Sequence, residues 1–234
     1  MVDLQAAGIV AAHLVIRLDD YLWFASHEWG NDNETAPILH GYALSFALSG
    51  RERVLAVGGV PFYEEDLANV EVYCTPARLL PGSGDRAQRA AFTFNAVEDP
   101  TQGTQALALG DKVNDPKMGR RQVLVPGLRF ELVAFVRKEF EVPRVFRLGK
   151  KRSPVVVERQ EAIKGKASFM EGGADGICPS HAVNPLDVAG DVIRCVPRSI
   201  PPHMIFERAW IKKDLFLPYG RELVHVPKTV RAWA

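Results

Sequence analysis

The stretch VLVPGLRFELVAFV, Val123 to Val136, carries the strongest strand signal in the chain. β-Branched and aromatic side chains dominate it, and such residues suit a pleated, buried surface. Pro126-Gly127 interrupts the run, because proline offers a sheet ladder no N–H. Working outward, Val70 to Leu80 (VEVYCTPARLL) and Ala90 to Val97 (AAFTFNAV) alternate like strands around a turn at Pro81 to Gly84, and read as sheet neighbours. Ala11 to Leu18 reads as a first strand that ends in the turn residues Asp19-Asp20. A helix is expected after it, with Thr35 as its cap, Pro37 in its first turn and Gly50 as its terminator near Ser49. Ile38, Leu39, Tyr42, Leu44, Phe46 and Leu48 make that helix apolar almost all round, so it should lie against a sheet. Pro143 to Lys151 alternates basic and apolar residues up to a Gly-Lys-Lys-Arg turn, and Val155 to Val157 resumes a strand. Gly165 to Gly176 is glycine-rich and reads as a loop. The class these elements predict is a β-rich α+β fold.

A chain of 234 residues with 47% hydrophobic and 24% charged residues has enough apolar material for a sizeable core, as one large domain or two small ones, and is not a largely disordered polymer. Its longest apolar runs, such as Leu39 to Leu48, fall well short of the roughly 18 to 20 residues a bilayer crossing needs, so no membrane helix is expected. The first residues lack a basic segment followed by an apolar core, which predicts a cytoplasmic location. Three cysteines without a CxxC spacing argue for reduced thiols rather than a disulfide framework. Cys178-Pro-Ser-His181 has a two-residue ligand spacing, but structural zinc requires four ligands, and neither a metal nor a cofactor is expected.

The net charge of +1 conceals an asymmetry. Residues 1 to 75 hold three basic side chains against eleven acidic ones, net −8, whereas the remainder holds twenty-six against seventeen, net +9. Arg137 to Lys166 is the densest basic stretch, with ten Lys or Arg and four Glu, and it is the segment best able to neutralise phosphates; a plain solvated basic face is the alternative. Residues 98 to 121 are poor in large apolar groups and carry Lys112, Lys117, Arg120 and Arg121 among several glycines. A structureless connection of that length is rare in a compact domain unless it has a task, so this segment reads as a functional arm or long hairpin.

Phe24-Ala25-Ser26-His27-Glu28-Trp29-Gly30, Glu34-Thr35 and the helix Leu39-His40-Gly41-Tyr42-Ala43-Leu44-Ser45-Phe46-Ala47-Leu48 resemble the opening of the small backbone subunit of type I-D CRISPR Cascade, the Csc-one-type member of the Cas-five family. Tyr73-Cys74-Thr75-Pro76-Ala77-Arg78, Arg147-Leu148-Gly149-Lys150-Lys151 and Asn184-Pro185-Leu186-Asp187 extend the resemblance in the same order. It implies a ferredoxin-like, RRM-related domain spanning 1–234 with a protruding β-hairpin thumb, placed here at about 98–122. It also implies a non-catalytic subunit that binds the 5′ handle of the crRNA, sits beside the large subunit and the repeated backbone subunit, and helps inspect the PAM of target double-stranded DNA. Where family members carry a basic residue and an aromatic after the acidic-apolar-Gly step, this chain has Asn31-Asp32-Asn33, so that loop is expected to face a protein neighbour or to use its Asn amides rather than to grip phosphate.

Single-stranded RNA is held by phosphate neutralisation, by stacking of splayed bases and by 2′-hydroxyl contacts. The first candidates are Arg147, Lys150, Lys151 and Arg152, where a glycine turn allows close backbone approach to a concentrated positive field. Lys112, Lys117, Arg120 and Arg121 on the arm come second, with an ordinary solvated loop as the alternative. Ser26, His27, His40 and Tyr42 are possible RNA or partner contacts, and they are the groups a rival activity, metal-independent endoribonuclease processing of precursor crRNA, would use as base or activated hydroxyl.

Overall fold

The computed structural model describes residues 2–24, 26–29, 32–50, 63–82, 88–95, 118–200 and 203–234. The described strands are β1 (Ile9–Leu18), β2 (His27–Trp29), β3 (Asp32–Glu34), β4 (Ile38–Leu39), β5 (Val72–Cys74), β6 (Ala77–Leu79), β7 (Arg89–Asn95), β8 (Met118–Leu124), β9 (Arg129–Arg137), β10 (Val145–Leu148), β11 (Ser153–Ala162), β12 (Ser168–Glu171), β13 (Val192–Ile200), β14 (His203–Ile211), β15 (Lys213–Tyr219) and β16 (Glu222–His225). The described α-helices are α1 (Gly41–Ser49), α2 (Tyr63–Ala68) and α3 (Lys228–Arg231), with one 3-10 turn at Pro185–Asp187. The protein is therefore β-rich with few helices. None of the described helices is long and apolar enough to cross a membrane.

β1 is the centre of the main sheet, whose strand order is β10-β11-β1-β9-β6-β4, with β5 also paired to β9. All of its pairings are antiparallel. Alternate residues of a strand face opposite sides, and both sides of β1 are covered. Ala12, Leu14, Ile16 and Leu18 join Leu44 and Leu48 of α1 in one core, while Ile9 and Ala11 join Leu215, Leu217 and Val224 in a second. β1 is sandwiched, so its apolar pattern is nearly continuous rather than a clean alternation. β9 follows the same rule, with Phe130, Leu132, Ala134 and Val136 in the first core and Val133 and Phe135 in the second.

Two smaller sheets and a ribbon complete the body: β12-β15-β16, β2-β3-β8-β7 and the two-stranded β13-β14. The stretch Val123 to Val136, expected to join one sheet, is two strands in different sheets. Pro126-Gly127, with Gly127 at φ 86°, turns the chain out of β8 and into β9. The stretch Val70 to Leu80 is likewise divided into β5 and β6, both facing β9. Between them Thr75 donates its N–H to Val133 O (2.9 Å) and accepts the Val133 N–H on its side chain (3.0 Å), so the ladder continues up to Pro76. β7 pairs with β8, not with β5 or β6, which corrects the expected adjacency.

The helix begins later than expected. Ile38–Leu39 forms β4 on β6, Thr35 exchanges hydrogen bonds with the backbone of Phe24 instead of capping, and the cap of α1 is His40, whose Nδ1 accepts the Tyr42 N–H at 3.2 Å. Gly50 terminates α1 in the left-handed region, as predicted. The glycine-rich segment after Gly165 is also more ordered than a loop, since Ser168–Glu171 pairs with β15 and Gly172 donates to Lys212 O.

Candidate nucleic-acid interface

Arg147 stands on β10, and the Gly149–Arg152 turn connects β10 to β11. Along β10 the side chains alternate, Phe146 and Leu148 inward, Val145 and Arg147 outward. The turn needs two left-handed residues, Gly149 at φ 77° and Arg152 at φ 54°. A Cβ on Gly149 would lie 2.7 Å from both Leu22 Cδ1 and Trp23 O, so the turn backbone rests directly on the segment that follows β1. Lys150 N–H donates to Trp23 O at 3.0 Å, which fixes the turn against that segment. Lys151 and Arg152 are exposed, and Arg147 Nη1 donates to Arg152 O at 3.4 Å.

Trp23 is 1% exposed, and its ring is flanked by cations from the two basic stretches. Arg121 Cζ lies 3.5 Å and Lys150 Nζ 5.0 Å from its centroid. The quadrupole of an indole face attracts both, and Arg121, itself only 8% exposed, is held against the ring. Trp23 Nε1 has no hydrogen-bond partner among the described residues. The arm and the turn, which the sequence offered as two separate basic clusters, thus meet through Arg121 and Lys150.

Arg121 reaches Trp23 because β8 is the middle of the small sheet. It pairs antiparallel with β7 (Phe92↔Arg121, Thr93↔Arg120) and parallel with β3 (Asn33↔Arg121, Asp32↔Arg120). Arg120 and Arg121, being consecutive, face opposite sides. On the Arg121 side stands Phe92, edge-to-face with Tyr21 at 5.1 Å, both rings 43% exposed. Glu28 reaches Lys150 on the same side at 3.8 Å. On the Arg120 side stands Trp29, 61% exposed and stacked on His27 at 5.6 Å. Two half-exposed aromatics beside stacked cations suit unpaired bases and phosphates. The acidic step at Asp32–Glu34 faces this basic strand from within the molecule: Asp32 Oδ1 accepts the Arg120 N–H at 3.2 Å, and Glu34 pairs with Arg89 at 2.5 Å.

The four remaining candidates do not converge. Ser26 is buried, its hydroxyl accepting the Ala36 N–H at 3.0 Å and its N–H donating to Glu34 O, so it braces the β2–β3 hairpin. His27 and Glu28 face opposite sides of β2 and form no acid–base pair. His40 caps α1 with its ring 4.8 Å from Tyr42, and Tyr42 packs on Tyr73 in the second core. Lys112 and Lys117 lie outside the described residues, as does most of the expected thumb; its described flanks, β7 and β8, pair antiparallel from Arg89↔Leu124 to Asn95↔Met118. Among the described residues no group of three or more His, Cys, Asp or Glu is placed to hold a metal ion, and the Cys178 thiol turns to Pro179 O at 3.7 Å. Tyr21, Trp23, Trp29 and Phe92 were missed in the sequence; only Trp29, in a polar loop, carried a signal, since the other three stand in apolar stretches that read as core.

Several strongly perturbed groups lie elsewhere, where the C-terminal part meets the main sheet. Tyr73 O–H donates to buried Asp187, whose carboxyl burial pushes up to about 7. Burial holds the His181 imidazole well below its ordinary range. Asp214 is 2% exposed, and burial alone would raise it, but the His225 imidazole at 3.0 Å, backbone N–H groups and Arg231 outweigh that and hold it below the usual carboxylate range. Arg78 joins the same interface, bonding Ser180 O and Glu131 Oε1 at 2.5 and 3.1 Å.

Comparison with known proteins places these observations. The family model described as type I-D CRISPR-associated protein Cas5/Csc1 matches residues 9–232. No curated protein matches the chain. Among solved structures the chain is similar to one in the cryo-EM structure of the Type III-B Cmr-beta bound to cognate target RNA, at 12% identity with a TM-score of 0.34. That alignment covers 69% of this chain and 63% of the other, so the chain spans under two thirds of the length of that match.

Proposed function

Since the chain belongs to the type I-D CRISPR-associated Cas5/Csc1 family, we propose that it is a non-catalytic subunit of a type I-D Cascade that binds the 5′ handle of the crRNA. The observation that carries this reading is the buried Trp23 flanked by Arg121 and Lys150, with Tyr21 and Phe92 half-exposed beside it. In this reading Lys150, Lys151, Arg152 and Arg147 take handle phosphates, Tyr21 and Phe92 stack bases, and Lys112 and Lys117 extend the contact along a thumb of which β7 and β8 are the base. The body is read as an RRM-related, ferredoxin-like domain working in the cytoplasm beside the large subunit and the repeated backbone subunit, near the PAM of the target DNA. In such assemblies guide pairing supplies the sequence specificity, so the protein needs shape and charge at the handle rather than a base code.

Replacing Arg147, Lys150, Lys151 and Arg152 with glutamate is expected to abolish incorporation of the subunit, with its crRNA, into the complex, while single Lys→Gln changes lower the salt slope of RNA binding by about one each. Assembly and target binding like those of the parent overturn the reading. Incubation of the chain with precursor crRNA in EDTA separates it from a nuclease: cleavage lost on His27 or His40 replacement favours the endoribonuclease instead.

A further inference from the structure

The β13-β14 ribbon carries a second set of stacked cations that the handle reading does not use. Its inner face is fixed to the body: Ala209 and Ile211 are fully buried with Phe216, and Ile205 packs with Ala36, Ile38 and Ala182. The outer face presents Arg194 opposite Trp210 and Val196 opposite Arg208, with Arg194, Val196 and Arg208 exposed. Arg194 Cζ lies 3.8 Å and Arg208 Cζ 4.8 Å from the Trp210 ring centroid. Among the described residues neither guanidinium has a carboxylate within ion-pair distance, although Arg198 on the same ribbon is paired with Glu207.

We infer that this outer face is a separate contact for a nucleic-acid phosphodiester backbone, distinct from the surface around Trp23. An arginine stacked on an aromatic has its plane fixed and its N–H fork turned outward, which is the geometry that takes a phosphate in a bidentate grip. The two arginines sit diagonally across the ribbon, a placement that sets such neighbours roughly 7 to 8 Å apart. That separation is of the order of the spacing of neighbouring phosphates on one strand. Lys212, exposed at the end of the ribbon, prolongs the positive line, and the ribbon's own carboxylate Glu207 is already engaged by Arg198. The ribbon shares no strand with the first site, so the two surfaces can hold different strands at once.

Fluorescence anisotropy with the full chain tests this, using a labelled single-stranded RNA, the single-stranded DNA of the same sequence and the DNA duplex, each titrated at several salt concentrations. Arg194→Gln with Arg208→Gln is expected to weaken binding of at least one of the three and to lower its salt slope by about two, and the probe affected identifies which strand is held. Both side chains are exposed, and an unaltered melting temperature of the double variant shows that folding is not the cause. Lys150→Gln should lower the RNA slope by about one in the parent and in the double variant alike, so failure of the handle reading, on which this inference does not depend, and failure of this one give different results. Parent-like affinities and slopes for all three probes overturn the inference, as does capture of an acidic protein lost in the double variant while nucleic-acid binding persists.

Discussion

Gly149 occupies a position that no side chain fits, since its φ of 77° lies in the left-handed region and a Cβ would meet Trp23 O at 2.7 Å. Gly149→Ala is therefore expected to cost about 1 to 3 kcal/mol, read as a lowered urea midpoint, and to weaken RNA binding by displacing Lys150 from Trp23. Gly41 is held by packing alone: a Cβ there would stand 2.3 Å from Cys74 O. These glycines belong to blocks whose resemblance to the family was legible in the sequence, yet their reasons were not, because each depends on a backbone segment many residues away. The same holds for the candidate site. Lys150 and Arg121 were legible as charge, whereas Trp23 was not, because an aromatic in an apolar stretch reads the same whether it fills a core or carries cations.

α1 and β5 show how a short strand is secured along both edges when only one of them has a partner strand. β5 pairs with β9 along one edge, and its other edge is bonded by serines of α1. Ser45 Oγ accepts the Cys74 N–H at 2.8 Å, and Ser49 Oγ accepts the Val72 N–H at 3.0 Å. Ser45→Ala leaves a buried N–H without an acceptor and should lower stability by about 1 to 3 kcal/mol, visible in thermal unfolding. Ser45 also donates to Gly41 O, which ties the first turn of the helix to the strand. In the sequence the helix was legible from its apolar content and Gly50, but its start was not. His40 is an unusual cap, and the pull of β6 on Ile38–Leu39 is a tertiary effect that no local propensity carries. The split of Val123 to Val136 was marked by Pro126-Gly127, but which sheet each half joined depended on partners distant in sequence.

Across the whole molecule the C-terminal part is joined to the main sheet by polar contacts in the interior, and one of them titrates. Asp187 is buried and hydrogen-bonded by Tyr73, with Arg231 near enough to act on it electrostatically. Its folded value of about 7 exceeds the ordinary aspartate value of about 3.9, so between them the native state keeps a proton that the unfolded chain has lost. Asp187 thus makes stability fall as pH rises from about 4 to about 7, with no further change above. Asp187→Asn, which keeps an acceptor for Tyr73, should flatten that fall when urea midpoints at pH 5 and pH 8 are compared. The position of β1 has a consequence for how the chain is made. Its neighbours, paired as Ile9↔Arg137 and Ala12↔Ala162, are synthesised more than a hundred residues after it. Until they emerge, an apolar strand with two open edges waits on the ribosome, and loop closure must precede any reward from pairing, which makes folding slow and exposes the nascent chain to association with its neighbours.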